Sequence, residues 1–100
     1  MVGVRYEDLG GLNMTDVELL NAGFKANYTG FYYILDAVKL KQEDPTLGIT
    51  KIYAIVALHW NSTESRVERS IRHCIKSSPF AGHINHEVIS ALAILYPGEL

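Results

Sequence analysis

The feature that most constrains the fold is an amphipathic segment between residues 62 and 76. At about 100° per residue, a helix here would gather four small or apolar side chains on one side: Val67, Ile71, Cys74 and Ile75. The other side would gather bases, with Arg72 at its edge: Arg66, Arg69, His73 and Lys76. Ser62 or Thr63 can cap the helix start by accepting a backbone N–H, and Glu64 suits the positive end of the helix dipole. One face can therefore pack against a core while the other meets a polyanion.

A second helical pattern lies directly upstream, over residues 49–60. Its apolar residues recur at helical spacing behind Thr50, a candidate cap. Only a few residues around Asn61 separate it from the basic segment. Two helices joined by so short a turn, the second basic on its outer face, are typical of a helix-turn-helix, whose second helix enters the major groove of DNA. The sequence therefore predicts this motif at about residues 50–77.

The spacing of apolar residues along the whole chain predicts an all-α fold, a compact bundle of about five helices in a single domain over residues 1–100. Thr15 and Glu18 form a capping-box pattern that opens a short first helix, which Gly23 can close. The last helix can be capped by Asn85. The other helices are expected at about residues 30–42, 50–59, 64–77 and 86–95.

The predicted helix over residues 30–42 is apolar on several sides and should be the central packing element of the bundle. An aromatic cluster accompanies its first turns: Tyr28, Phe31, Tyr32 and Tyr33. Such rings can stack on bases, but no arginine is interleaved with them. We therefore expect them in the core.

Net charge argues against DNA binding, because a formal charge of −2 lacks the overall basicity of many nucleic-acid binders. The distribution of charge answers part of this objection. Residues 1–45 carry four bases and seven acids, whereas residues 46–86 carry five bases and two acids. The field is thus polarised, and the basic side would face phosphate while the acidic end repels it. Weak non-specific binding is the expected consequence.

Several other function classes find no support in the sequence. No secretory signal and no run of about 18 apolar residues is present, which predicts a cytoplasmic protein without membrane association. Cys74 is the single cysteine and is expected to be a small buried residue rather than a reactive thiol. The histidines lack the paired spacing of a zinc motif, so neither a metal nor another cofactor is expected. His73 and Cys74 do not face each other as a base and a nucleophile would, and no enzyme is expected.

Three separated stretches of the chain resemble a known family, the C-terminal DNA-binding domain of the sporulation master regulator, stage-zero sporulation protein A. Residues 65–73 look like its recognition helix, residues 30–38 are similar to its second helix, and residues 49–53 to the start of its third. The resemblance covers roughly residues 14–84, in the family's order. It implies a transcription regulator of a spore-forming bacterium or its mobile elements, which binds double-stranded DNA at a short site containing guanine and cytosine.

The resemblance implies base contacts for Arg66, Arg69 and Glu68. The two arginines lie one turn apart on the outward face, and an arginine can donate two parallel hydrogen bonds to guanine O6 and N7. A glutamate can accept from cytosine N4. Glu68 can alternatively pair with Arg72, four residues further on, on a solvated face.

Other polar residues of the motif are expected at the DNA backbone, where contacts carry affinity rather than sequence information. These phosphate candidates are Thr63, Ser65, Arg72, His73 and Lys76, together with Lys51 near the start of the preceding helix. The alternative for the basic residues is an ordinary solvated face. For Thr63 and Ser65 it is a capping role alone.

The resemblance also sets expectations for partners. The family's regulator carries an N-terminal receiver domain, for which the residues before Met14 are too few, so switching by the chain's own aspartyl phosphate is not expected. Binding as a homodimer or in tandem copies would strengthen a weak single-domain contact with DNA. The alternative function is a protein-interaction module that pairs with a full-length regulator and modulates it, with DNA contact secondary.

Overall fold

The computed structural model describes residues 14–96, which form an all-α bundle without a strand in that range. Its helices are α1 (Asp16–Asn21), α2 (Thr29–Glu43), α3 (Ile49–His59), α4 (Glu64–Lys76) and α5 (Asn85–Leu95). The predicted fold class is confirmed, and the predicted helix ends agree within one residue. None of the described helices has the length and apolar content to cross a membrane.

The start of α1 forms the predicted capping box. The Thr15 hydroxyl accepts from the Glu18 backbone N–H at 3.2 Å, and the Glu18 carboxylate accepts from the Thr15 N–H at 2.9 Å. Two N–H groups that the helix itself cannot pair are thereby satisfied. Gly23 follows the helix with a φ of +100° and lies against the ring of Pro79, so the chain after α1 packs on the segment that follows α4.

Helix α2 is the central packing element, as predicted, because it contacts α3, α4 and α5. Its buried hydrophobic side chains are Phe31, Tyr33, Ile34, Leu35, Ala37 and Val38. The expectation of a buried aromatic cluster holds for Phe31 and Tyr33. It was wrong for Tyr32, which is 45% exposed, and Tyr28 is only half-buried. Tyr32 lies on the solvent side of α2, and Tyr28 precedes its first turn.

Gly30 brings α2 very close to α4. A β-carbon at this position would lie 2.7 Å from the Ser70 carbonyl carbon and 2.8 Å from Cys74 Cβ, and nearer still to the Ser70 carbonyl oxygen. Only a residue without a side chain fits there. The small residues Gly30, Ser70 and Cys74 thus set the distance at which α4 lies against the bundle.

Two of the predicted caps were wrong. The residue that precedes α3 and takes the cap position is Gly48, not Thr50, and for α5 it is Ile84, not Asn85. Asn85 lies inside the first turn and is buried, and its side-chain N–H groups donate to the Tyr53 hydroxyl at 2.9 Å and the Glu68 carbonyl at 3.1 Å. A buried amide must find such partners, and here they join α5 to α3 and α4.

The end of α3 is attached to α2 by a buried carboxylate. Asp36 is only 7% exposed, and its Oδ2 accepts a hydrogen bond from Trp60 Nε1 at 2.6 Å. His59 Nε2 lies 3.8 Å from the same oxygen. Burial raises the pKa of the Asp36 carboxyl above its ordinary 3.8, although the Trp60 hydrogen bond and the nearby His59 and Lys39 oppose the shift.

This buried carboxyl predicts a distinctive pH dependence. A folded pKa above the unfolded value means that the stabilisation is fully present below about pH 3.8 and is lost as the pH rises through the folded pKa. Asp36→Asn keeps an oxygen for Trp60 but removes the ionisation. The free energy of unfolding of this variant, relative to wild type, should therefore increase between about pH 3 and pH 7 in urea titrations.

Asp44→Asn is the matched control, because the exposed Asp44 carboxylate accepts two hydrogen bonds from Thr46 that lower its pKa. Its contribution has the opposite sign, being present above about pH 3.8 and lost as the pH falls through the folded pKa. The relative stability of Asp44→Asn should thus decrease over the same pH range. If the relative free energies of unfolding of the two variants changed in the same direction with pH, the raised pKa of Asp36 would be contradicted.

Candidate nucleic-acid interface

Helices α3 and α4 are joined by a turn of four residues, 60–63. Asn61 adopts the left-handed conformation, with φ +52°, which asparagine tolerates better than most residues. The Ser62 N–H closes the turn by donating to the Ala57 carbonyl at 2.8 Å. Thr63 caps α4, and its hydroxyl accepts from the Arg66 N–H at 3.2 Å. This arrangement fits the predicted helix-turn-helix, and of the two candidate caps, Ser62 and Thr63, it is Thr63 that takes the position.

The inward face of α4 is the apolar one predicted from the sequence. Its buried side chains are Val67, Ile71, Cys74 and Ile75. Burial raises the pKa of the Cys74 thiol to about 11, so the group stays protonated at neutral pH. A protonated, buried thiol is a poor nucleophile, which agrees with the expected core role.

The outward face of α4 presents hydrogen-bond donors to solvent. Its exposed residues are Ser65, Arg66, Arg69, Arg72, His73 and Lys76. By the helical period, Arg69 lies opposite the buried residues, with Arg66 and Arg72 about 60° to either side. Five of these six side chains can carry a positive charge, so the face suits an anionic partner.

Glu68 lies at one flank of this face, beside α3 and α5. Arg72 Nη1 donates to Glu68 Oε2, one turn apart on α4. This is the pair that the sequence allowed as an alternative to base contact by Glu68. The Tyr53 hydroxyl is nearby: burial raises its pKa above 10, and the Glu68 charge adds to that shift. An exposed pair of this kind contributes only about 0–1 kcal/mol, so Arg72 can exchange the carboxylate for a phosphate.

The opposite flank of α4 faces the start of α2. An open groove with a volume of about 390 Å³ is lined by Asn27, Tyr28 and Thr29 and by Arg69 and His73 of α4. The Tyr28 ring meets the His73 ring edge to face, with 5.2 Å between their centroids. Sequence reasoning placed Tyr28 in the core, because no local pattern reveals that the segment before α2 lies beside α4.

The remaining predicted residues occupy separate positions. Thr63 and Ser65 are exposed at the start of α4, whereas Lys51 is exposed in the first turn of α3. Thr63 already uses its hydroxyl oxygen as the cap. Across residues 14–96, no three histidine, cysteine, aspartate or glutamate side chains come together as a metal site would require.

The chain matches a known protein family over most of its length. Residues 15–94 match the family model described as sporulation initiation factor Spo0A C terminal. The match begins at the cap of α1 and reaches the penultimate residue of α5, so it includes every helix described above and all of the outward face of α4.

Proposed function

The chain belongs to the sporulation initiation factor Spo0A C-terminal family, a family of DNA-binding regulatory domains, and we propose that it is a sequence-specific double-stranded DNA-binding domain of a transcription regulator. Its helix α4 enters the major groove of its site. The proposed place of action is the cytoplasm of a spore-forming bacterium, where the chromosome lies.

The observation that carries this proposal is the division of α4 into two faces. Its apolar face is completely enclosed by the bundle, while its opposite face is exposed and cationic. A helix of 13 residues attached in this way projects its outer side chains beyond the bundle. The major groove, about 12 Å wide, accommodates one such helix.

The position of each side chain on α4 suggests its role. Arg69, at the centre of the outward face, and Arg66, one turn earlier, are proposed to contact guanine. His73 and Lys76 follow towards the end of the helix, where they are proposed to contact phosphate, as are Ser65, Thr63 and Lys51. Arg72 would reach phosphate after leaving Glu68.

Glu68 lies closer to the buried side of α4 than either arginine, so it is further from the bases in the proposed docking. Two roles follow for it. It accepts from cytosine N4 if the helix rotates slightly in the groove, or it holds Arg72 when the domain is free of DNA. We retain base contact as the proposal, because it comes with the family resemblance.

The proposal is tested by selecting binders from random duplexes, then titrating the preferred and a scrambled duplex at about 50 and 200 mM salt. We expect a defined preferred motif. Arg66→Ala should weaken binding to it by about 1–3 kcal/mol and relax the base preference at one position, because a bidentate contact is lost. Equal, weak and steeply salt-dependent binding to both duplexes would overturn the proposal.

A protein-interaction module that modulates a full-length regulator is the second candidate. Exposed apolar side chains near the turn favour it: Leu58 is 85% exposed, and Trp60 and Tyr32, whose ring centroids lie 6.2 Å apart, are 42% and 45% exposed. Patches of this kind can mark protein contacts. Under this function, Arg66→Ala would leave partner binding unchanged. A homodimer or tandem copies on DNA would be compatible with the first function.

A further inference from the structure

The groove between α2 and α4 has one wall on the outward face of α4 and one wall outside that helix. Asn27, Tyr28 and Thr29 form the second wall. None of these residues belongs to the helix-turn-helix pattern in the sequence. The groove is nevertheless continuous with the face on which Arg69 and His73 are exposed.

Tight packing holds the two walls together. Gly30 brings α2 against the backbone of α4 at Ser70, directly beneath the groove. Tyr28 adds an edge-to-face contact to His73 on the rim. Such aromatic pairs stabilise a fold by more than the area that they bury accounts for. The end of the segment before α2 is therefore held against α4 at Tyr28 and Gly30.

The charges along the groove favour an anionic occupant. Its lining contains Arg69 and His73 and no acidic residue. The opposite flank of α4 carries Glu68, whose carboxylate is paired with Arg72 and would repel a phosphate once Arg72 left it. Of the two flanks, the α2 side offers DNA the more favourable path. Its other polar groups, the Asn27 amide and the Tyr28 and Thr29 hydroxyls, can all donate hydrogen bonds.

We propose that this groove holds one strand of the DNA backbone, with Asn27, Tyr28 and Thr29 contacting phosphates beside Arg69 and His73. This inference rests on the proposed function, in which α4 lies in the major groove of the same duplex. The segment before α2 then sets the register of α4 on the DNA, because it fixes one edge of the groove. Its contacts carry affinity without sequence information.

The test is Thr29→Asp, measured by titration of the selected and scrambled duplexes. Thr29 is exposed, and the first turn of α2 contains no acid, so an aspartate there should leave the fold intact or slightly more stable. Beside a phosphate, however, the new charge repels DNA. We expect affinity to fall about tenfold at low salt on both duplexes, with the base preference unchanged.

The matched control is Thr46→Asp, which adds the same charge to an exposed threonine beyond the other end of α2. The 15 residues of that helix separate the two sites by about 22 Å, roughly two Debye lengths at 0.1 M salt. Thr46→Asp should therefore bind DNA within about twofold of wild type. Thermal unfolding of both variants verifies that they remain folded.

The outcomes separate this inference from the proposed function. If wild type prefers one motif and Arg66→Ala loses it, but Thr29→Asp binds like Thr46→Asp, the groove does not hold the backbone and only this inference fails. If wild type shows no preferred motif, the proposed function fails and this inference fails with it. A preferred motif for wild type, together with a loss of affinity for Thr29→Asp but not Thr46→Asp on both duplexes, supports both.

Discussion

Gly30→Ala is expected to destabilise the domain far more than the same change at Gly48. The new β-carbon would lie 2.7 and 2.8 Å from the Ser70 carbonyl carbon and Cys74 Cβ, so the backbone of α4 has to move. Overpacking usually costs about 1–3 kcal/mol, and we expect the upper end or more because backbone atoms are struck. The higher helix propensity of alanine offsets only about 1 kcal/mol. Urea unfolding followed by circular dichroism measures the loss.

Gly48→Ala is the matched control for that substitution. A β-carbon on Gly48 would meet nothing within 4 Å, and the residue precedes α3 as its cap. Loss of a glycine at the cap should cost only about 1 kcal/mol or less. Equal destabilisation by the two alanines would mean that α2 and α4 can separate without penalty, which would contradict the close packing at Gly30.

The double variant Arg66→Ala/Arg69→Ala should abolish specific DNA binding while the fold survives. Both side chains are exposed and neither supports the core. Each contact contributes about 1–3 kcal/mol of discrimination, so together they account for about 2–6 kcal/mol if they act independently. Affinity for the selected duplex should then fall to the non-specific level, roughly 10⁻⁴ to 10⁻⁶ M. Fluorescence anisotropy with the selected and scrambled duplexes provides the measurement.

The control for charge is Arg66→Lys/Arg69→Lys. Lysine keeps the positive charge but lacks the planar fork that pairs with guanine O6 and N7. This variant should retain the affinity and salt dependence of wild type for the scrambled duplex and still lose most of the preference for the selected one. If it kept the full preference, the arginines would act only as charges at the phosphates, and the proposed base contacts would be wrong.

The sequence predicted those parts of the fold that depend on short-range periodicity. The two faces of α4, its cap at Thr63 and the capping box at Thr15 all arise from residues within one or two turns of each other. Such patterns can be read locally because the helical period alone decides which side chains share a face. Thr50 and Asn85 were wrongly predicted as caps, because local spacing alone does not decide which residue takes the cap position. Gly48 and Ile84 already have the extended backbone of a cap, and tertiary contacts draw Asn85 into the core.

The candidate site, too, was predicted from the sequence only in part. The family resemblance named the DNA-facing residues of α4, and the helical period placed Arg66 and Arg69 on one exposed face. The spacing of four residues allowed the Glu68–Arg72 pair as an alternative to base contact, whereas no sequence pattern indicated that Tyr28 would lie against His73. The first depends on which rotamers the surroundings of α4 leave open. The second depends on the packing of α2.

By itself, the sequence determined the number and kind of helices, the apolar and basic sides of α4, and the short turn before it. Only the tertiary structure decided how near α2 lies to α4, what Asn85 and Asp36 bind, and that the segment around Thr29 borders the basic face. The physical reason is that helix formation and amphipathicity depend on neighbours three or four residues away. Contacts between distant segments depend instead on how side-chain volumes fit together, and at Gly30 that fit depends on a missing side chain.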